Sequence, residues 1–249
     1  MKKKSELEFD KYVSNYDFDI PGIRYKYTHS YRVEALMKEL ATRLKLSQKE
    51  IMIAELIGLL HDIGRFEQIR KYGMSSDTKT HVDHADESCI YLFDDGHISD
   101  YIDTNIYDDI IRDAIRNHNK YIIDASLKGD NLFFTKMIRD MDKVDIYRVI
   151  VEEHQPTYDK KEISDKVLKT FNNKMPINSF DKRSDTDNTY SRLAFLYDMN
   201  FKESMDILKE TNNLDAYLGK VDVSEDSVNE FKVLRKEIKS YVNNFRKED

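Results

Sequence analysis

Apolar residues recur along this chain at spacings of three and four, the period of an α-helix, and only 7 Gly and 3 Pro interrupt them. The pattern predicts an all-α protein. From Tyr27 to Leu44, His29 shares a helical face with Val33, Leu36, Leu40 and Leu44, so its imidazole is aimed at the core. Ser47 and Glu50 form a capping box ahead of a helix whose apolar positions Ile53, Leu56, Ile57 and Leu60 run directly into His61 and Asp62. Gly64 is expected to end or bend that helix as a left-handed residue. Arg70 to Thr80 reads as a polar loop, and a further helix from near Asp83 carries His84 through Leu92.

Asp108 and Asp109 suit a helix N-terminus, and Ala114 lies one turn before His118, which places that histidine on the inner side. Phe134, Ile138 and Asp142 follow at intervals of four, putting a carboxylate on an apolar face where it would be costly to bury unpaired. Beyond Tyr158, KKEISDKVLKTF predicts an amphipathic helix and NNKMPINSFDKRSDTDNT a polar connector. Helical periodicity resumes in RLAFLYDMNFKESMDIL and VNEFKVLRKEIKSYVNNF. The expected organisation is a core over residues 1–158 and a helical extension over 159–249 that packs on it rather than folding alone.

Composition narrows the partners. With 40 Lys and Arg against 47 Asp and Glu, the net charge of −7 disfavours broad binding to a nucleic-acid polymer. No apolar run approaches bilayer-spanning length, and MKKKSELEFDKYV lacks the apolar stretch of a secretory leader. The expectation is a cytoplasmic chain without a membrane partner, and the single cysteine, Cys89, reads as a small packed residue.

The candidate chemistry lies in histidines and aspartates set beside apolar residues in separate helices. A lone inward His–Asp pair is a common way to satisfy a buried imidazole. Four histidines and two aspartates so placed look instead like one convergent site. Imidazoles with carboxylates suit divalent Mn, Fe, Co, Ni or Zn, whereas Mg prefers an oxygen-rich shell. His29, His61, Asp62 and Asp142 can make one site, with Asp62 bridging to a second made by His84 and His118.

The ordered segments THSYRV, LLHDIGRFEQ, VDHADES, IRNHNKY and IRDMDKVDI, over Lys26 to Tyr147, resemble the HD-domain superfamily of metal-dependent phosphohydrolases. The resemblance implies an HD-domain helical bundle and a ligand set of His29, His61, Asp62 and Asp142, with His84 and His118 completing a two-ion variant. It favours Asp142 over the nearby Asp145, which is left as a supporting partner. It implies hydrolysis of a nucleotide or related small phosphoester by a metal-bound hydroxide, with Asp62 at the centre and Arg65, Lys120 and Lys143 as candidate phosphate-gripping cations. Two departures matter: Arg65 stands where several members carry a Glu base, and the Gly-Tyr-Pro signature of a cyclic-dinucleotide branch is missing. A di-iron oxygenase on the same ligands and a noncatalytic, metal-stabilised signalling module stay open as alternatives, as does a homodimer.

Overall fold

A computed structural model describes residues 2–245, the side chain of Glu153 excepted. Among the described residues the regular structure is almost wholly helical, and no helix is long and apolar enough to cross a membrane. The chain divides into two compact units, residues 1–142 and 143–249, earlier than the boundary expected after residue 158.

The first unit contains α1 (Lys4–Val13), α2 (Pro21–Arg43), α3 (Gln48–Leu60), α4 (Gly64–Tyr72) and the single turn α5 (Asp77–Thr80). It continues with α6 (His84–Cys89), a π-helical turn at Ile90–Asp94, α7 (Ile98–Tyr101), α8 (Asp108–Asn117) and the start of α9 (Gly129–Glu153). The predicted capping box is present: Glu50 N–H donates to Ser47 Oγ at 3.3 Å, and Ser47 N–H donates to Glu50 Oε2 at 2.7 Å. Nine of the thirteen residues of α3 are buried, so it is the unit's central rod rather than a one-faced surface helix. On α2 the buried face runs through His29, Val33, Met37, Leu40 and Ala41, while Leu36 and Leu44 are half-buried.

Glycines set the closest helix contacts. A methyl group at residue 58 would lie 2.8 Å from Glu34 Cα and 2.9 Å from Val33 O, so α3 can approach α2 this closely only without a side chain there. Gly64 departs from the sequence expectation. It is not left-handed; it opens α4, and a methyl group on it would meet His84 O at 2.5 Å and Ser88 N at 2.7 Å. Its absent side chain lets α4 touch α6, a contact closed by Gly64 N–H donating to Ser88 Oγ at 2.9 Å. The left-handed glycine is Gly73, with φ of 67°, which ends α4 inside the stretch expected to be loop. The same stretch also holds α5, because local hydrogen bonds can order a polar segment that has no apolar period.

The second unit holds the end of α9, two-residue strands β1 (Thr157–Tyr158) and β2 (Asp222–Val223) paired in parallel, and α10 (Asp165–Asn172). It is completed by α11 (Asp185–Leu193), α12 (Lys202–Thr211), α13 (Asn213–Lys220) and α14 (Val228–Asn243). Helix α11 begins within the expected polar connector. Ser184 caps it, and Asp187, itself buried, accepts from Ser164 N at 2.9 Å, Ser164 Oγ at 2.5 Å and Arg183 N at 2.8 Å. Polar residues at this point therefore start a helix. Tyr158, Phe171, Tyr190, Tyr217 and Phe231 are buried in the core of this unit.

Replacing a helical glycine by alanine ordinarily stabilises a helix by up to about 1 kcal/mol, whereas overpacking costs roughly 1–3 kcal/mol. At residue 58 the obstruction is backbone, which cannot rotate aside. Gly58→Ala is therefore expected to lower the melting temperature, and an unchanged or higher value in a thermal melt would refute this account of the α2–α3 contact.

Candidate metal centre

Every histidine and aspartate expected to be a ligand falls in the first unit. His29 comes from α2, His61 and Asp62 from the turn between α3 and α4, His84 from the first residue of α6, His118 from the end of α8 and Asp142 from α9. The four rings and Asp62 are all buried. The glycine contacts explain the convergence: Gly58 lets α3 carry His61 toward His29, and Gly64 lets α6 carry His84 toward Asp62.

Asp62 lies between two histidine pairs and turns one oxygen to each. Its Oδ2 is 3.6 Å from His29 Nε2 and 3.7 Å from His61 Nε2. Its Oδ1 is 2.9 Å from His84 Nε2 and 3.7 Å from His118 Nε2. Asp142 Oδ1 joins the first pair, 3.1 Å from His29 Nε2 and 3.6 Å from His61 Nε2. Asp142 is thus brought to the imidazoles, while Asp145, also buried, belongs to the second unit.

For three of the rings the other nitrogen identifies the free lone pair. His61 Nδ1 lies 2.8 Å from Gly58 O and His118 Nδ1 lies 2.7 Å from Ile115 O. A carbonyl only accepts, so Nδ1 carries the proton and Nε2 of each neutral ring keeps its lone pair. His84 Nδ1 meets Asp77 Oδ2 at 2.7 Å to the same effect. The Nε2 atoms of His84 and His118 are then 3.0 Å apart, and those of His61 and His29 are 3.3 Å apart. Facing lone pairs repel unless a cation stands among them. A proton can relieve one such contact, but a divalent ion relieves a whole group, and imidazole–carboxylate sets suit transition metals. Two groups are placed so that each could hold a metal ion: His29, His61 and Asp62, with Asp142 beside them, and Asp62, His84 and His118.

The surroundings hold both carboxylates ionised. Burial raises the pKa of Asp62, but Lys26, His61 and His84 outweigh burial and hold its carboxyl well below the usual range. Burial likewise opposes ionisation of Asp142, and the adjoining rings of His29 and His61 reverse the effect. For His118 burial dominates and pushes the pKa down to about 4, keeping the ring neutral.

Three cations expected to face a substrate are each engaged with an acid of the chain. Arg65 Nη1 donates to Asp77 Oδ1 at 2.6 Å, to Gln68 Oε1 at 2.6 Å and to Ser75 O at 3.0 Å. Its Nε, 3.8 Å from Asp62 Oδ1, has no hydrogen-bond partner among the described residues. Lys120 pairs with Asp83 at 2.5 Å and Asp86 at 3.2 Å, and Lys143 with Asp198 at 2.6 Å inside the second unit.

Sequence reasoning passed over Lys26, whose Nζ donates to Asp62 Oδ2 at 2.7 Å. It lies three residues before His29, so helical spacing would have put both on one face. Arg139 was also missed; it is buried and donates to the carbonyls of Asn117, His118 and Lys120 at 2.9, 3.2 and 2.6 Å, fastening the end of α8 to α9. A third acidic group, Asp77, Asp83 and His84, uses the far nitrogen of His84 and is already engaged with Arg65, Gln68, Asn119 and Lys120. Of the surface histidines, His97 is exposed and stacks on Tyr91. Cys89 is buried, and burial pushes its thiol up to about 12, away from nucleophilic use.

A protein-family model described as HD domain matches residues 27–173, which takes in every candidate ligand. No curated protein and no solved structure matches the chain.

A histidine whose pKa is lowered on folding adds stability above its unfolded value, and that stability is lost as pH falls through the folded value. For His118 the window runs from 6.5 down to about 4, a difference of about 3 kcal/mol. Metal-free protein is expected to melt at progressively lower temperature across this window, and His118→Gln to flatten part of the slope. Identical slopes for the two proteins in pH-dependent melts would count against a neutral, buried His118.

Proposed function

The chain belongs to the HD-domain superfamily of metal-dependent phosphohydrolases, and on that footing we propose that it hydrolyses a nucleotide or related small phosphoester with two divalent transition ions. The observation that carries this reading is Asp62, whose two oxygens each face a separate pair of histidine Nε2 atoms. When bound, the ions supply Lewis acidity toward phosphoryl oxygens and lower the pKa of water from about 15.7 toward roughly 7.

The protein's own groups perform the remaining tasks. Asp62 and Asp142 contribute two negative charges and Lys26 one positive charge, so a centre holding two divalent ions is net positive within an acidic protein. This is the local field a phosphoester requires. The ligand side chains are 3% exposed or less except that of Asp142, at 15%, and Lys26 beside them is 16% exposed. A substrate therefore reaches the centre past Asp142 and Lys26, where the ammonium is placed to meet its phosphate. Arg65 keeps Nε as a donor for a phosphoryl oxygen, although its Nη1 is committed to Asp77. Gly58 O, Ile115 O and Asp77 hold the imidazole protons of His61, His118 and His84 on Nδ1, so none of these three rings has to change tautomer to serve as a ligand.

Elemental analysis of the full chain purified without added metal is expected to find about two ions per chain. Phosphate release from a panel of nucleotides and generic phosphodiesters should stop with a chelator and return with Mn. Asp62→Asn should reduce turnover by more than the roughly 10–100-fold that loss of an outer partner costs. Release that survives chelation, or protein without metal, would remove the basis of the proposal. Running the panel under air and under nitrogen separates the oxygenase, which would contain iron and consume oxygen. Lys26→Met is expected to raise KM with circular dichroism unchanged, and an unaltered KM would deny it the phosphate-meeting role.

A further inference from the structure

The two pockets are supported in different ways. His61 is oriented by a carbonyl of its own helix α3 and His118 by a carbonyl of its own helix α8. His84 instead depends on a side chain outside its helix, Asp77 on the single turn α5. Asp77 is itself clamped: Arg65 Nη1 and Gln68 Nε2, both from α4, donate to its Oδ1 at 2.6 and 3.0 Å. Asn119 Nδ2 reaches its Oδ2 at 3.3 Å.

The same two α4 side chains hold the rest of this segment. Arg65 donates to Ser75 O at 3.0 Å, and Gln68 donates to Thr80 Oγ1 at 2.9 Å and Val82 O at 3.2 Å. The segment leaves α4 through left-handed Gly73 and, apart from α5, has no regular structure of its own before Asp83. The direction of the His84 lone pair is therefore set by a strap of polar contacts, whereas the carbonyls that orient His61 and His118 are parts of continuous helices.

We infer that Asp77, clamped by Arg65, is a positioning residue that makes filling of the second pocket, that of Asp62, His84 and His118, conditional on the placement of residues 73–83. This rests on the two-pocket reading above. An ionised carboxylate on Nδ1–H fixes both the tautomer and the ring angle and makes Nε2 a better donor to a metal. Without it the His84 ring can turn about its own bond, and the second pocket keeps only Asp62 and His118 in fixed positions. The first pocket keeps its histidines and Asp142 as they are; Arg65 reaches the shared Asp62 at Oδ1, the oxygen turned to the second pocket, 3.8 Å from its Nε. The strap thus gives this protein a way to hold one ion firmly and a second ion only when the loop is in place.

The test is calorimetric titration of the metal-free full chain with Mn, together with metal content after desalting, for the native sequence, Asp77→Asn and Arg65→Gln. The native chain is expected to take up two ions. In each variant the first should bind with unchanged affinity and the second about 10–100-fold more weakly. The metal-free melting temperature reports any general loss of structure, which would weaken both ions together. Should Asp77→Asn yield no folded protein, Arg65→Gln gives the same reading with the carboxylate intact. Two ions bound by the folded variants at native affinity, or both weakened equally, would overturn the inference and leave the two-pocket site standing. A native chain that takes up fewer than two ions would overturn the two-pocket site itself, and the inference with it.

Discussion

A carboxylate withdrawn from water needs positive charge or hydrogen-bond donors around it, and Asp62 has such a partner in the Lys26 ammonium while four histidines crowd its two oxygens. Its oxygens face Nε2 atoms carried by α2, the α3–α4 turn, α6 and α8, and Lys26 supplies a fixed cation on one side. Neutral imidazoles cannot donate from Nε2 when Nδ1 holds the proton. With Nδ1 protonated, as in His61, His84 and His118, their Nε2 lone pairs and the carboxylate oxygens meet as mutually repulsive acceptors. The first unit folds around this conflict, which a bound divalent cation would resolve. Such a centre links local chemistry to tertiary stability, because the elements that bring the ligands are held together partly by what the ligands share.

Much of the first unit was legible in the sequence, and the reason is local. Helical period placed His29 and Asp142 on inward faces, the Ser47–Glu50 box set the start of α3, and the ordered histidines and aspartates marked one site. These features depend on residues within a few positions of one another. What escaped depends on pairs far apart in the chain. Gly64 was read as a backbone hinge, yet its function is to leave room for His84 O on another helix. Asp77 sits in a run with no apolar period, so nothing near it in the sequence points to the His84 ring. Arg139 is buried among carbonyls of a helix that ends some twenty residues earlier. The second unit was less legible because its connector is rich in Ser, Asp and Asn, which mark both turns and helix starts.

The closeness of α4 to α6 means that the paired His61 and Asp62 and the later His84 do not move independently. Gly64 is two residues beyond Asp62, and its Cα lies against the backbone that begins the helix of His84. Any displacement of α6 large enough to carry His84 away would have to open this contact and break the hydrogen bond from Gly64 to Ser88. The adaptable part of the second pocket is consequently the rotation of one ring, while the position of that ring's backbone is rigid. This separates the place of a ligand from its aim, and the two are governed by different residues.

Arg139 has an electrical effect on the same pocket. His118 stands at the C-terminal end of α8, where unsatisfied carbonyls give a helix a partial negative charge that ordinarily favours a protonated imidazole. Arg139 donates from one guanidinium nitrogen to the carbonyl of Asn117 at the end of α8 and to those of His118 and Lys120 just beyond it, and so offsets part of that negative potential. This acts in the same direction as the burial that already holds the ring neutral against the pull of Asp62. A buried arginine that does not touch the ring's Nε2 thereby favours the neutral imidazole, the form whose lone pair is open to a cation.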